Sequence, residues 1–180
     1  VSLLKLYKKN SYELKLEQIN EIFKSSYSIN NKFTIIHVTE NNFKDQNVVL
    51  LAHFDTNNII SPYVQYLAKQ FKLLEKKVIL CSGNKNLSLD GDISFCDAIL
   101  CRTCDVYDFT SWKTAFTAFP SLFSAKEITL CNDSVFGPIG SYKVVYKNME
   151  KIKCDFWGLT LNRQRMPHLQ SYHLVFRKSA

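Results

Sequence analysis

The feature that most constrains the fold of this chain is a set of short, continuous apolar runs. Four of them are Val48–Ala52, Val78–Cys81, Ala98–Cys101 and Ile128–Cys131. Runs of four or five residues without polar alternation are typical of strands buried on both faces, as in a parallel sheet. A sheet of this kind needs helices to cover both of its faces.

Helical patterns occupy the segments between these runs. Ser61 and Pro62 mark a helix start, with the serine as N-cap and the proline at the first helical position. Apolar residues then recur at helical spacing as far as Lys76. We also predict helices over 110–119 and 141–150, and strands over 154–159 and 171–176. This alternation predicts an α/β fold, with a mostly parallel sheet and helices on both faces.

The N-terminal part of the chain differs from this regular pattern. Residues 11–26 have a helical apolar face, and 33–38 have the character of a short strand. The polar segment from Asn41 to Gln46 then separates them from the regular part. We therefore predict an N-terminal appendage or linker over 1–46 and a main domain over 47–180.

Charge and length narrow the class of partner. The chain of 180 residues has a formal net charge of +7, mostly from lysine, which suits nucleotide diphosphates or acidic lipid headgroups. Proteins that bind single-stranded nucleic acid alternate basic residues with exposed aromatic residues, and this chain has no such run. We therefore expect no nucleic-acid partner. No apolar run approaches the roughly 20 residues that span a bilayer, but peripheral contact with a membrane surface remains open.

The six cysteines fit buried free thiols better than a disulfide framework. Most of them lie within or beside the apolar runs. A zinc site would need a second pair or paired histidines beside Cys101-x-x-Cys104, and the sequence has neither. We interpret that pair as structural or incidental.

Candidate ligand-binding residues follow directly after the predicted strands, because α/β sheets bind ligands beyond the carboxyl ends of their strands. These residues are His53, Phe54 and Asp55; Ser82, Gly83 and Asn84; Arg102; and Asn132, Asp133 and Ser134. Aspartate, serine and asparagine oxygens can hold Mg²⁺ or Mn²⁺, which neutralises a diphosphate. For Asp55, helix capping and ligand binding are equally open, whereas for Asp133 we favour a functional role. Phosphate-binding P-loops, dinucleotide fingerprints and serine-hydrolase elbows are absent.

Four pieces of the chain together resemble the rhamnan synthesis protein F family of bacterial glycosyltransferases, over about residues 47–180. The pieces are Ala52–Asp55; Tyr107–Phe109 with Ser111–Lys113; Asn132–Pro138; and Asp155–Thr160 with His168–Tyr172. The resemblance implies a Rossmann-like, glycosyltransferase A-type domain that binds a nucleotide-sugar such as dTDP-rhamnose. It also implies a cytoplasmic enzyme, at the inner face of the membrane, that extends a cell-surface polysaccharide such as lipopolysaccharide or cell-wall glycan on a polysaccharide or lipid-linked acceptor.

The resemblance adds residues to the predicted donor site. Asn132, Asp133 and Ser134 occupy the place of the family's strand-end acidic motif, where related sugar transferases hold a metal–diphosphate; Asp133 is thus the candidate ligand for Mn²⁺ or Mg²⁺. Tyr107, Asp108 and Lys113 match a second family segment. The predicted donor-binding set is therefore His53, Asp55, Arg102, Tyr107, Asp108, Lys113, Asn132, Asp133 and Ser134.

A second group of candidates lies near the end of the chain. His168, Gln170 and Tyr172 are predicted to contact the sugar or the acceptor, although Gln170 and Tyr172 would also suit the start of a strand. The resemblance implies displacement at the anomeric carbon, with a carboxylate base that deprotonates the acceptor hydroxyl. It places that base beyond Ala180, so we assign no catalytic residue and expect the domain to be truncated there.

Two other hypotheses stay open. Val106 and Thr110 stand where glycine is usual in the family, and Cys104 where asparagine is usual. Added side chains there favour an inactive scaffold that binds a nucleotide-sugar or glycan. A flavodoxin-like nucleotide-binding domain unrelated to sugars is a third option. Trp112 could stack on a ligand, whereas for Trp157 we predict a place in the core.

Overall fold

A mixed seven-stranded sheet forms the centre of the computed structural model, which describes residues 32–102, 107–164 and 166–178. The strands are β1 Phe33–Val38, β2 Asn47–His53, β3 Lys77–Ser82, β4 Ala98–Arg102, β5 Glu127–Asn132, β6 Phe156–Gly158, β7 Leu161–Asn162, β8 His168–Leu169 and β9 His173–Arg177. The helices are α1 Pro62–Lys72, α2 Asp108–Ala118 and α3 Tyr142–Glu150, with a 3₁₀ turn over Pro120–Ser124. The predicted helix over 11–26 lies outside the described residues.

The four apolar runs form the middle of the sheet, as predicted. The strand order is β1-β4-β3-β2-β5-β9-β6, and β4, β3, β2 and β5 are parallel neighbours. The outer strands are antiparallel: β1 to β4, β9 to β5, and β6 to β9. The prediction of an α/β fold with a mostly parallel sheet is thus confirmed, while the glycosyltransferase A-type assignment stays a prediction.

Helices cover both faces of the sheet, because alternate residues of each central strand point to opposite sides. On one side Val49, Leu51 and Leu80 pack with α1. On the other side Leu50 and Ile79 pack with α2 and the 3₁₀ turn. Helix α3 joins the α1 side, where the ring of Tyr142 stacks on that of Phe71 at 5.0 Å. The two apolar layers fix the sheet and thereby the edge at which its parallel strands end.

Strand β1 belongs to the main sheet, although the sequence placed it in an appendage. Its main chain pairs with β4, with Phe33 opposite Arg102 and Val38 opposite Ala98, and one compact unit extends from residue 31 to 180. The polar segment that resembled a boundary is the loop that connects the edge strand β1 to the central strand β2. Residues 1–31 of the predicted appendage lie outside the described residues, whereas the loop after β1 is described and places Phe43 in the core.

The cysteines of the described residues are free thiols. Four of them are buried, namely Cys81, Cys96, Cys101 and Cys131, and the fifth, Cys154, is half-buried. This confirms the predicted free thiols at those positions, while Cys104 lies outside the described residues.

Within the described ranges, no helix combines the length and apolarity that a bilayer crossing requires.

Candidate ligand site at the carboxyl edge of the sheet

The parallel strands bring four post-strand segments to one edge. Ala52 of β2 is in register with Cys81 of β3 and with Asn132 of β5, and Ser82 is in register with Cys101 of β4. Because these strands have the same direction, the residues that follow them are neighbours. The predicted post-strand candidates on β2, β3, β4 and β5 therefore share one edge.

Asp133 links the loop after β5 to the loop after β2. Its Oδ2 accepts a hydrogen bond from the Phe54 main-chain N–H at 2.9 Å. Its own N–H donates to the carbonyl of Ala52 at 3.2 Å. Burial, together with the nearby carboxylates of Asp108 and Asp55, raises the pKa of Asp133 to about 6. The ionised form of Asp133 is therefore disfavoured by desolvation and by the two neighbouring carboxylates.

Asn132 connects Asp133 to the start of α2. The Asn132 side chain is buried, and its Nδ2 donates to Asp108 Oδ2 at 2.6 Å. Its Oδ1 accepts from the Ser134 main-chain N–H at 3.3 Å. The structure thus brings together four of the predicted donor residues, Asp108, Asn132, Asp133 and Ser134. These four residues form the acidic group of the site.

Asp55 has a local structural role in the loop before α1. Its Oδ2 accepts from the Ser61 hydroxyl at 2.6 Å and its Oδ1 from the Asn57 N–H at 2.7 Å. The Ser61 hydrogen bond is the main reason that the pKa of Asp55 is lowered. Ser61 does precede α1, but its side chain makes no cap hydrogen bond to the helix. The predicted N-cap position of Ser61 and first helical position of Pro62 are thus confirmed, but the Ser61 hydroxyl donates to Asp55 instead of capping the helix.

His53 is buried between the strands and is not presented to solvent. Its Nδ1 lies 3.0 Å from Ser82 Oγ. Burial lowers the pKa of His53 to about 4, so the imidazole is neutral near pH 7. The His53 side chain thus lies in the protein interior beneath the site, and its donor-binding role stays a prediction.

Asn84 fixes the loop that leads from β2 to α1, a role that its sequence position alone did not reveal. Its Oδ1 accepts from the Asp55 N–H at 2.9 Å, and its Nδ2 donates to the Asp55 carbonyl at 2.5 Å and to Asn58 Oδ1 at 3.0 Å. The side chain is buried. A post-strand asparagine is the signal that could have identified it, since asparagine can bond main-chain donors and acceptors together.

A pocket of about 320 Å³ opens beside the acidic group. Its walls include Phe54, Asp55, Gly83, Asn84, Lys85 and Arg102. Gly83 permits this geometry, because a Cβ there would lie 3.1 Å from an Arg102 guanidinium nitrogen and 3.2 Å from the Phe54 ring. Arg102 and Lys85 make one side of the pocket positively charged. Lys85 was not a sequence candidate, since a lone exposed lysine carries no recognisable signal.

The other predicted donor residues lie at the start of α2. Tyr107 is 89% exposed at the N-cap position of that helix. Lys113 is half-buried on α2. Thr110, in the first turn, donates its N–H to the Tyr107 carbonyl at 3.0 Å.

The predicted sugar and acceptor residues lie around the β7–β8 hairpin. His168 is exposed, with Nδ1 2.9 Å from the Met166 carbonyl. The Gln170 N–H donates to the Thr160 carbonyl at 2.9 Å, and Tyr172 is half-buried in the turn before β9. Gln170 and Tyr172 lie between β8 and β9 and not, as the alternative interpretation expected, at the start of a strand. A sugar or acceptor role for the three residues stays a prediction.

Both tryptophans are in the core. Trp112 is buried and donates its Nε1–H to the Cys131 carbonyl at 3.2 Å. Trp157 is buried against Tyr146, with ring centroids 5.1 Å apart. The predicted core position of Trp157 is confirmed, and Trp112 contacts the carboxyl end of β5 through this hydrogen bond.

Comparison with known proteins relates the chain to one described family. A family model described as rhamnan synthesis protein F matches residues 78–180, which is more than half of the chain. The matched segment begins at β3 and includes Arg102 and the acidic group. No curated protein and no solved structure gave a match.

Proposed function

This chain belongs to the rhamnan synthesis protein F family, and from that premise we propose that it is a glycosyltransferase or the donor-binding part of one. The family links the chain to polysaccharide synthesis. In the proposal, a nucleotide-sugar such as dTDP-rhamnose binds at the carboxyl edge of the sheet. The sugar is then transferred to a polysaccharide or lipid-linked glycan at the inner face of the cytoplasmic membrane.

The observation that carries the proposal is the position of Phe54 between two parts of the edge. Its N–H binds Asp133 of the acidic group, and its ring lines the pocket next to Arg102. The pocket that Arg102 and Lys85 line and the acidic group thus share one residue as their boundary. A nucleoside diphosphate with a divalent ion has the matching pattern, since its phosphates seek cations and its metal seeks carboxylates.

The cationic side of the pocket would hold the diphosphate. Arg102 projects its guanidinium across Gly83 at the carboxyl end of β4, and Lys85 lies on the same loop as Gly83. Arginine binds phosphate oxygens through paired N–H donors, and lysine adds a point charge. In displacement at the anomeric carbon the diphosphate leaves as an anion, so fixed positive charge here would stabilise the developing negative charge.

In the proposal, the acidic group and oxygen atoms of the substrate together bind a Mg²⁺ or Mn²⁺ ion. Asp108, Asn132 and Asp133 offer hard oxygen atoms, which both ions prefer. The raised pKa of Asp133 reflects burial beside other carboxylates, and a bound cation would offset both effects. In the described ranges no three His, Cys, Asp or Glu residues form a group that could hold a metal ion. Substrate oxygens would complete the coordination, and the ion would neutralise charge on the diphosphate.

An inactive nucleotide-sugar or glycan scaffold is the second candidate. It is favoured by Thr110, whose side chain stands in the first turn of α2 where the family pattern expects glycine. The glycosyltransferase, and the scaffold in its nucleotide-sugar-binding form, both require donor binding at the carboxyl edge. They differ only in turnover, which release of dTDP from dTDP-rhamnose would measure.

Titration calorimetry with dTDP and UDP, each with and without Mn²⁺, tests donor binding. We expect Mn²⁺-dependent binding to the wild-type chain and its loss in Asp133→Ala. Asp45→Asn is the matched control, because Asp45 is an exposed aspartate in the loop before the amino end of β2. No binding of either nucleotide under any condition would refute the proposal. Binding that is independent of metal and unchanged in Asp133→Ala would remove the role assigned to Asp133.

A further inference from the structure

An exposed apolar loop precedes α3 and has no role in the proposed donor site. The apolar loop is Val135–Ile139; Ile139 is fully exposed, and Phe136 is 77% exposed. Val144, in the first turn of α3, adds a further exposed apolar side chain. Adjacent large apolar residues at this level of exposure mark an interaction surface rather than ordinary surface variation.

The apolar loop is held in place from below. The ring of Phe136 packs against that of Tyr63 with centroids 4.5 Å apart. The Tyr66 hydroxyl donates to the Pro138 carbonyl at 3.2 Å. Both tyrosines belong to α1, so a rigid element supports the loop while the Ile139 side chain projects into solvent.

Helix α3 presents lysines next to this loop. Lys143, Lys147 and Lys151 follow one another at intervals of four residues and are all exposed. Side chains at that spacing lie on one face of a helix. Tyr142 and Tyr146 occupy the opposite, inward face and pack with the protein. We call Lys143, Lys147 and Lys151 the basic stripe; Glu150 is the one carboxylate on α3.

We propose that the apolar loop and the basic stripe together dock the protein on an anionic lipid bilayer. Apolar side chains that enter the headgroup region, with lysines beside them that contact anionic lipids, are the two components of peripheral membrane binding. The charge of the stripe and the net charge of +7 select this occupant. A second copy of the chain would bring like charges together. The proposal does not depend on the donor site.

Co-sedimentation of the full 180-residue chain with vesicles tests this surface. We expect binding to phosphatidylglycerol–phosphatidylcholine vesicles at low salt, and little binding to pure phosphatidylcholine. Ile139→Asp and the triple variant K143E/K147E/K151E should each reduce the partition coefficient roughly tenfold or more. Both changes are at exposed positions, so folding should be retained, and unchanged nucleotide binding would verify it.

The matched control is K44E/K126E/K178E, which makes the same charge change at exposed positions in the loop before β2, before β5 and after β9. This control has the same net charge as the stripe variant and should bind vesicles within about twofold of the wild type at the same ionic strength, because its three positions lie away from the proposed surface. Equal losses in both triple variants would overturn the proposal, since only net charge would then matter. Equal binding to neutral vesicles, no vesicle binding, or self-association abolished by Ile139→Asp would also overturn it.

Discussion

The Asp133 carboxylate accepts a hydrogen bond from the Phe54 main-chain N–H at 2.9 Å, which joins the loop after β5 to the loop after β2. The two residues are far apart in sequence but adjacent in the sheet, because β5 and β2 are parallel neighbours. Asp133 also keeps a pKa of about 6, raised mainly by burial. The same carboxylate therefore organises the edge and carries a charge that the fold does not fully compensate.

The raised pKa predicts that Asp133→Asn stabilises the protein at neutral pH. The pKa of Asp133 is about 6 in the folded protein and 3.8 ordinarily. The folded protein therefore loses stability as the pH rises between these values. We expect Asp133→Asn to be more stable than the wild type by about 2 kcal/mol at pH 7.5. The difference should vanish below pH 4. Thermal unfolding between pH 4 and 8 measures it, with Asp45→Asn showing no such trend.

The same pKa predicts the pH dependence of metal-dependent donor binding. The ion needs ionised Asp133, and with a pKa of about 6 the ionised fraction rises strongly between pH 5 and pH 7. Affinity for dTDP-glucose in the presence of Mn²⁺ should therefore increase roughly tenfold over that range. A nucleotide-sugar is the suitable ligand because its phosphates do not titrate there. A flat profile, or an equal increase in Asp133→Asn, would contradict the role of Asp133.

Gly83 is predicted to control the cationic pocket. A Cβ at this position would meet the Arg102 guanidinium at 3.1 Å and the Phe54 ring at 3.2 Å. Gly83→Val should displace one of them and weaken dTDP binding by about tenfold, which equals about 1.4 kcal/mol. Gly140→Ala is the control, since a Cβ there meets nothing within 4 Å. Equal affinity in Gly83→Val and Gly140→Ala would place the phosphates elsewhere.

A buried ionic network at the opposite edge is predicted to support stability and not function. Glu127 Oε1 pairs with Lys76 Nζ, and Glu127 Oε2 accepts from Arg177 Nε at 2.8 Å. Burial lowers the pKa of Lys76 despite the pairing. Lys76→Met would leave Glu127 with less compensation in a buried site, at a cost of about 3 kcal/mol. Urea unfolding measures the loss, and nucleotide affinity should stay unchanged; a loss below about 1 kcal/mol would contradict this assignment.

The central strands and the helices could be predicted because their signals are local. Continuous apolar runs identified β2 to β5, and a helical apolar period after Pro62 identified α1. The direction of the outer strands could not be predicted, since an apolar run reads the same in parallel and antiparallel pairing. Strand β9, for example, is antiparallel to β5, although its own sequence is an apolar run like those of the parallel strands.

The candidate site also has one part that the sequence predicts and another that only the tertiary structure reveals. Asp133 was identifiable because it follows a buried strand. The commitment of Ser61 to Asp55, and of Asn84 to the main chain of Asp55, depends on how loops meet in space. The Lys76–Glu127 pair joins residues 51 positions apart. Contacts of this kind arise from tertiary packing and leave no pattern in a single sequence.

Paramagnetic broadening by Mn²⁺ in an amide NMR spectrum tests the central claim most directly. With dTDP present, we predict that Mn²⁺ broadens the amide signals of Asp108 and Ser134, which belong to the acidic group, and of Phe54, which donates to Asp133. The amide signals of Asp45, Lys126 and Lys178, near the amino end of β5, should stay sharp, and Asp133→Asn should abolish the effect. Broadening centred away from the carboxyl edge, or unchanged broadening in Asp133→Asn, would contradict the account.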